Sequence, residues 1–206
     1  MPIRGALLCN PMVETQQLRP GLTIWSRYDS AVKADLFSTA IATASGTFLV
    51  DPIKLENEEW PTTLNVTGIV ITNANHVRAS ADLARKFSVP IHATSNASIS
   101  GSRELCEGDF LADELQIVAI GGAAPGEIAL FSARDSGVLI VGDALINFGS
   151  SGFTFLPAKY CSDSKQMRKS LRKLLDLNFE RMLFAHGVPI MDKARDRLAA
   201  LFAEEK

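Results

Sequence analysis

The chain has 206 residues, 47% hydrophobic and 21% charged, an ordinary globular composition that excludes disorder and low-complexity sequence. Its 21 Lys and Arg against 23 Asp and Glu leave a net charge of −2, which argues against a nucleic-acid binder, since those carry a clearly basic face. One domain over 1–206 is expected, because a domain takes roughly 100–200 residues.

No run approaches the ~20 apolar residues of a membrane span. The apolar stretch near Met1 is shorter than the about 7–15 residues of a secretory signal. A cytoplasmic protein without a membrane partner is therefore expected. Cys9, Cys106 and Cys161 are widely spaced and form no C-x-x-C pair, so they read as free thiols, buried or partly buried, in a reducing compartment.

Strand-like runs dominate the first quarter. Leu22–Ser26 alternates apolar and polar residues, as a half-buried strand does. Phe37–Thr43 leads into a Ser45-Gly46 turn, and Thr47–Val50 ends at Asp51-Pro52, where proline stops a central strand. Glu56–Trp60 reads as a helical turn. Gly68–Ile71 is continuous and β-branched, as a strand covered on both faces should be. Val77, Ala81, Ala84 and Phe87 recur at helical spacing and predict a helix over 77–87; with Pro90–Ala93 as the next strand, this is a parallel βαβ unit.

Leu115–Ile120, Glu127–Phe131 and Gly137–Val141 read as strands, the last two joined by the polar Ala133–Gly137 connection. Asn147–Gly152 reads as an exposed Gly/Ser loop. Ser162-Asp163 can cap a helix striped by Met167, Leu171, Leu174 and Leu175. Arg181–Ala185 is a strand, and Ala194, Leu198 and Leu201 stripe a last helix. The order predicts an α/β sandwich with helices outside two packed sheets.

Chemistry-bearing residues follow the strands: Asp51; Asn73, Asn75, His76 and Arg78; Asp143; and His186. Ligand sites in open α/β sheets lie beyond strand C-terminal ends, although Asp and Asn are also common turn residues on their own account. Thr47-Phe-Leu-Val-Asp51, Thr72-Asn-Ala-Asn-His-Val-Arg78, Gly122-Ala-Ala-Pro-Gly126, Gly142-Asp143 and His186-Gly187 come in an order that resembles the metallo-β-lactamase superfamily, over about 22 to 203. The resemblance implies a four-layer αββα sandwich with a site at one sheet edge. It sets these segments against a strand ending in Asp, a T-H-x-H-x-D-H metal motif, a G-H-T-P-G turn, a G-D turn and a G-H-G turn.

The family's ligands mostly do not carry over. Asn73 and Asn75 stand at the first two histidines, Val77 at the aspartate, Arg78 at the last histidine of the motif and Ala123 at the G-H-T-P-G histidine. Only Asp143 and His186 remain, with His76 at a spacer position. Neutral amides are poor zinc ligands and a guanidinium repels a divalent cation, so no zinc and no other cofactor is expected. The expected arrangement is Arg78 in the vacated metal volume, paired with Asp143, with His186 and the two asparagines completing a hydrogen-bond network.

The implied function is a degenerate, metal-free member of the hydrolase superfamily whose pocket binds a small, anionic ligand or a protein. A second reading is a hydrolase of ester or thioester bonds using Asp143 and His186, through one weak metal or through His186 as a general base. A third is a structural role, with a homo-oligomer possible through the last helix. The basic run Lys165, Arg168, Lys169, Arg172 and Lys173 reads as a solvated helix face, His92 as structural, and Ser150-Ser151 as loop.

Overall fold

The computed structural model describes residues 14–55, 64–148 and 152–204. The expected turn at Glu56–Trp60, Cys9 and Ser150-Ser151 lie outside them. Within the described residues one sheet has the order β1 (Glu14–Arg19), β2 (Leu22–Asp29), β3 (Ala34–Thr43), β4 (Gly46–Val50), β5 (Val66–Val70), β6 (Ile91–Ala93) and β7 (Arg103–Glu104). Its first half is an antiparallel meander, and β4, β5, β6 and β7 run parallel. The second sheet comprises β8 (Phe110–Leu111), β9 (Leu115–Ala119), β10 (Ile128–Ser132), β11 (Val138–Val141) and β14 (Arg181–Phe184), in the order β14-β11-β10-β9-β8. A two-stranded piece pairs β12 (Leu145–Phe148) with β13 (Gly152–Phe155).

Period-two alternation sorts neighbouring residues to opposite faces. Phe48 and Val50 of β4, with Leu130 of β10 and Ile140 of β11, fill the space between the two sheets. Leu49, between the first two, points outward with Ile69 onto Leu83 of α1 (Ser80–Phe87). Leu139 and Val141 turn outward from the second sheet, onto Met167 and Leu171 of α2 (Ser164–Leu171) and Leu198 and Phe202 of α3 (Ala194–Ala203). The layers are therefore helix, sheet, sheet, helices, and the expected αββα sandwich is found.

Three local expectations need correction. The helix expected over 77–87 starts at Ser80, because Arg78 has φ +42° and cannot join a right-handed helix. Of the expected loop at Asn147–Gly152, Asn147 and Phe148 lie in β12 and Gly152 in β13, which pair antiparallel. Cys106 is exposed rather than buried, while Cys161 is half-buried. The basic run on α2 does face outward, except that Arg168 is half-buried over the Phe155 ring.

Candidate functional site

Four strands deliver their C-terminal ends to one edge of the sandwich. Asp51 follows β4, Thr72–Arg78 follows β5, Asp143 follows β11 and His186 follows β14. The Gly142-Asp143 turn needs glycine: a Cβ there would lie 2.7 Å from both Glu127 Oε1 and Thr72 Oγ1. Gly187, with φ +113°, lets the chain after His186 lie against the backbone of Asn147, whose N–H donates to His186 O at 3.1 Å.

His76 is at the centre. Asn73 Oδ1 caps a single 3-10 turn, Ala74–His76, by accepting the Asn75 N–H at 2.9 Å, and the turn swings the His76 ring into the interior. Its Nδ1 is 2.8 Å from Asp51 Oδ2, which also accepts the Thr72 hydroxyl at 2.5 Å. Asp51 Oδ1 accepts the Thr72 N–H at 2.8 Å. On the other side of the ring, Nε2 lies 3.1 Å from Asp143 Oδ1, and His186 Nε2 lies 3.3 Å from the same oxygen. The side chains of His76, Asp143 and His186 are 3%, 13% and 16% exposed, so the centre opens on the His186 side.

The electrostatics follow from burial and pairing. Burial pushes the His76 pKa down, but the Asp51 charge and the nearness of both carboxylates outweigh it and raise the value to about 9. Burial raises Asp143, yet the two imidazoles beside it hold it far below the usual carboxylate range. Asp51 is likewise held down, burial being overcome by the charge of His76.

Arg78 is not where the sequence put it. Its Nη1 donates to Phe37 O at 2.5 Å and Asp51 O at 2.9 Å, and its Nη2 to Ala185 O at 3.3 Å. The expected pair with Asp143 is absent among the described residues. Three backbone carbonyls meet the guanidinium fork better than one carboxylate that already faces two imidazoles. Asn73 joins the network as expected: its Nδ2 donates to Asp143 Oδ2 at 3.2 Å. Asn75 does not, since its side chain is exposed.

Sequence reasoning missed Glu127. It is 3% exposed and accepts from Asn73 Nδ2 at 2.7 Å and from the Ala144 N–H at 2.9 Å. Burial and the charge of Asp143 push its pKa up to about 8, which favours the neutral acid. The available signal was a charged residue directly after Pro125-Gly126 and before four apolar or small residues, a place where burial needs a partner.

A family model described as the metallo-beta-lactamase superfamily matches residues 15–204. The chain belongs to this superfamily. A curated relative, the probable metallo-hydrolase YflN of Bacillus subtilis (strain 168), is 34% identical over 92 residues, 39% of this chain. That match spans about a third of the relative's length, 34%. Among solved structures, a metallo-beta-lactamase from Erythrobacter litoralis aligns at TM-score 0.69 and 17% identity, covering 94% of this chain and 93% of its own. A metallo-beta-lactamase family protein from Thermus thermophilus aligns at TM-score 0.69 and 19% identity, covering 92% and 80%. These two likenesses concern the fold.

Metallo-β-lactamase folds imply metal, and the residues here fit one ion but not two. Asn73 has its amide committed to Glu127 and Asp143, Asn75 is exposed, and Ala123 is buried in an apolar cluster, so the first set of positions offers no ligands. His76, Asp143 and His186 present three ligand atoms within 4.8 Å of one another. The buried His76 Nε2 has no aligned hydrogen-bond partner although Asp143 is near, an orphaned nitrogen aimed into the cluster whose proton an ion would displace. The 3.1 and 3.3 Å spacings match the gap between neighbouring ligands on a tetrahedral ion with bonds of about 2.0–2.1 Å. The expectation of no zinc rested on two amides and an alanine at the first set of positions, which remain without ligands, and on the Arg78 guanidinium at the second, which bonds backbone carbonyls and leaves the third place to the His76 imidazole.

Proposed function

We propose that the chain is a hydrolase of ester or thioester bonds built round a single divalent cation on His76 Nε2, Asp143 and His186. The observation that carries this reading is the buried, unpartnered His76 Nε2 beside Asp143 and His186. Membership of the metallo-beta-lactamase superfamily, and the partial likeness to the probable metallo-hydrolase YflN of B. subtilis, agree with it. When bound, such an ion supplies an activated water and polarises a carbonyl.

The chain's own residues prepare that chemistry. Asp51, a carboxylate, accepts the Nδ1–H of His76 and so fixes Nε2 toward the cluster, where an ion would take the place of its proton. Asn73 engages Asp143 Oδ2 and leaves Oδ1 facing both imidazoles. Glu127, favoured as the neutral acid, fixes Asn73 without adding a third negative charge. His186, the most exposed of the three, borders the opening where substrate and water arrive.

A second reading is a metal-free binding module, in which a protonated His76 holds the two carboxylates together in the ion's place. The upward shift of the His76 pKa favours it. Its ligand would be a small anion or a protein surface, but Arg78, spent on carbonyls, is a weaker anion receptor than its sequence position suggested.

One experiment separates the two. Protein purified without added metal is analysed for metal, reconstituted with zinc, and assayed on neutral ester and thioester substrates. One bound equivalent and turnover that collapses in His76→Ala and His186→Ala, each loss of a ligand weakening ion affinity by more than the ~10–100-fold typical of outer-shell changes, supports the hydrolase. Stoichiometric zinc without turnover, or no zinc uptake at all, overturns it.

A further inference from the structure

We propose that Arg78 is the positioning residue of this centre: its guanidinium clamps the carbonyls of Phe37, Asp51 and Ala185 and thereby sets the spacing between His76 and His186. The part of this inference that concerns the ion rests on the single-ion reading above.

The three carbonyls belong to three segments. Phe37 lies in β3, Asp51 is the residue after β4, and Ala185 is the residue after β14 on the opposite sheet. Ala185 directly precedes His186. Asp51 holds the His76 ring through Nδ1 at 2.8 Å. Arg78 itself lies two residues beyond His76. One planar cation thus reaches the backbone beside each imidazole and bridges the two sheets at the site edge. The two sheets already touch there, since Phe37 N–H donates to Ala185 O at 2.9 Å, so this oxygen accepts from both.

Only a guanidinium suits the task. Its donors form a rigid fork able to serve several acceptors in different directions, whereas an ammonium is a compact point charge on a flexible stem. Both Asp51, φ +47°, and Arg78, φ +42°, sit in left-handed backbone that disfavours side chains, and the clamp ties these two residues to each other. The cation also lies near the carboxylates of Asp51, Asp143 and Asp29 without a hydrogen bond to any of them, so it offsets their charge while leaving Asp143 Oδ1 to the imidazoles.

The test uses the full chain with Arg78→Met and Arg78→Lys, and Arg78→Gly with added guanidinium or methylammonium. Two readouts are taken: affinity for zinc or cobalt, and backbone amide exchange. With circular dichroism unchanged, Arg78→Met is expected to bind the ion about 10–100-fold more weakly, the range of outer-shell substitutions. Exchange at Phe37 and Asn147, whose N–H groups bond Ala185 O and His186 O, should quicken relative to Ile117, whose N–H bonds Asp109 O and not a clamped segment. Guanidinium, and not methylammonium, should restore both in Arg78→Gly. If Arg78→Met does not fold, Arg78→Lys, which keeps the charge but not the fork, carries the same comparison. Unchanged affinity and exchange, or equal effects of the two cations, overturn the proposal. If the unaltered chain binds no ion, the single-ion reading fails, and the exchange pattern alone decides for or against the clamp.

Discussion

At the residue scale, the site is a set of buried charges that must balance from within. Asp51 and Asp143 are negative, Arg78 is positive, and in the ion-free protein a proton on His76 completes the balance. This gives a pH dependence with a definite sign. His76 titrates at about 9 when folded and about 6.5 when unfolded, so its contribution is complete below about pH 6.5 and is lost as pH rises through about 9. Glu127 adds in the same direction, its contribution fading between about pH 4.5 and about 8. The two depressed carboxylates act in the acid range and do not oppose this. Chelator-treated protein should therefore be less stable at high pH than near pH 6, with His76 accounting for a difference on the order of 3 kcal/mol. Denaturant unfolding across that range checks it, and Glu127→Gln should remove only the lower part of the slope. A stability that climbs between neutral and alkaline pH contradicts the charge assignment. A bound ion should flatten the curve, since it replaces the His76 proton.

At the scale of elements, strand ends were legible and the turns beyond them were not. β-branched and apolar runs closed by Asp51-Pro52, Gly142-Asp143 and His186-Gly187 marked where side chains converge, because strand length and breaker residues are local properties. The path from Asn73 to Arg78 is set otherwise. A cap by Asn73 tightens the 3-10 turn and carries His76, a spacer by motif position, into the centre. Arg78 then reverses the chain at positive φ and looks for carbonyls that only tertiary packing supplies. Counting positions along a motif assigns ligands correctly only when the turn keeps its geometry, and this turn has its own. Glu127 was illegible for a related reason, since its partners lie 54 and 17 residues away. The β12–β13 pairing was hidden because Asn147, Phe148 and Gly152 lie in a stretch whose glycine and serine content reads as loop. Where a local signal did exist it held: Asp163 caps α2, accepting the Lys165 and Gln166 N–H groups at 2.9 and 3.0 Å. Asp163→Ala should cost about 1 kcal/mol, seen as a lower urea midpoint at constant slope. An unchanged midpoint would show that α2 is held by its apolar stripe alone.

At the scale of the molecule, the centre joins elements of both sheets, which also meet at this edge through the Phe37 N–H to Ala185 O and Ile128 N–H to Thr72 O bonds. His76 hangs from the first sheet, Asp143 and His186 from the second, and the inter-sheet layer around Leu130 and Ile140 lies beneath them. An ion held by all three ligands would bind the folded chain and not the unfolded one, so its binding energy becomes folding energy. For one site, zinc at 100 times its dissociation constant adds about 2.7 kcal/mol. In a chain of this length each kcal/mol moves the melting temperature by about 2–4 °C, so saturation should raise it by roughly 5–10 °C. The rise should follow a single-site curve on titration, because the Asn73, Asn75 and Ala123 positions offer no second set of ligands. Calorimetry with and without zinc, on the unaltered chain and on His76→Ala, makes the measurement. A biphasic rise with two equivalents means that a second ion finds ligands despite those replacements. A single-site rise that survives His76→Ala at full size places the ion elsewhere and removes the imidazole from the ligand set. The pattern expected is one transition, one equivalent, and a shift that disappears with His76, since removing the one donor that the fold brought in from a spacer position leaves only two.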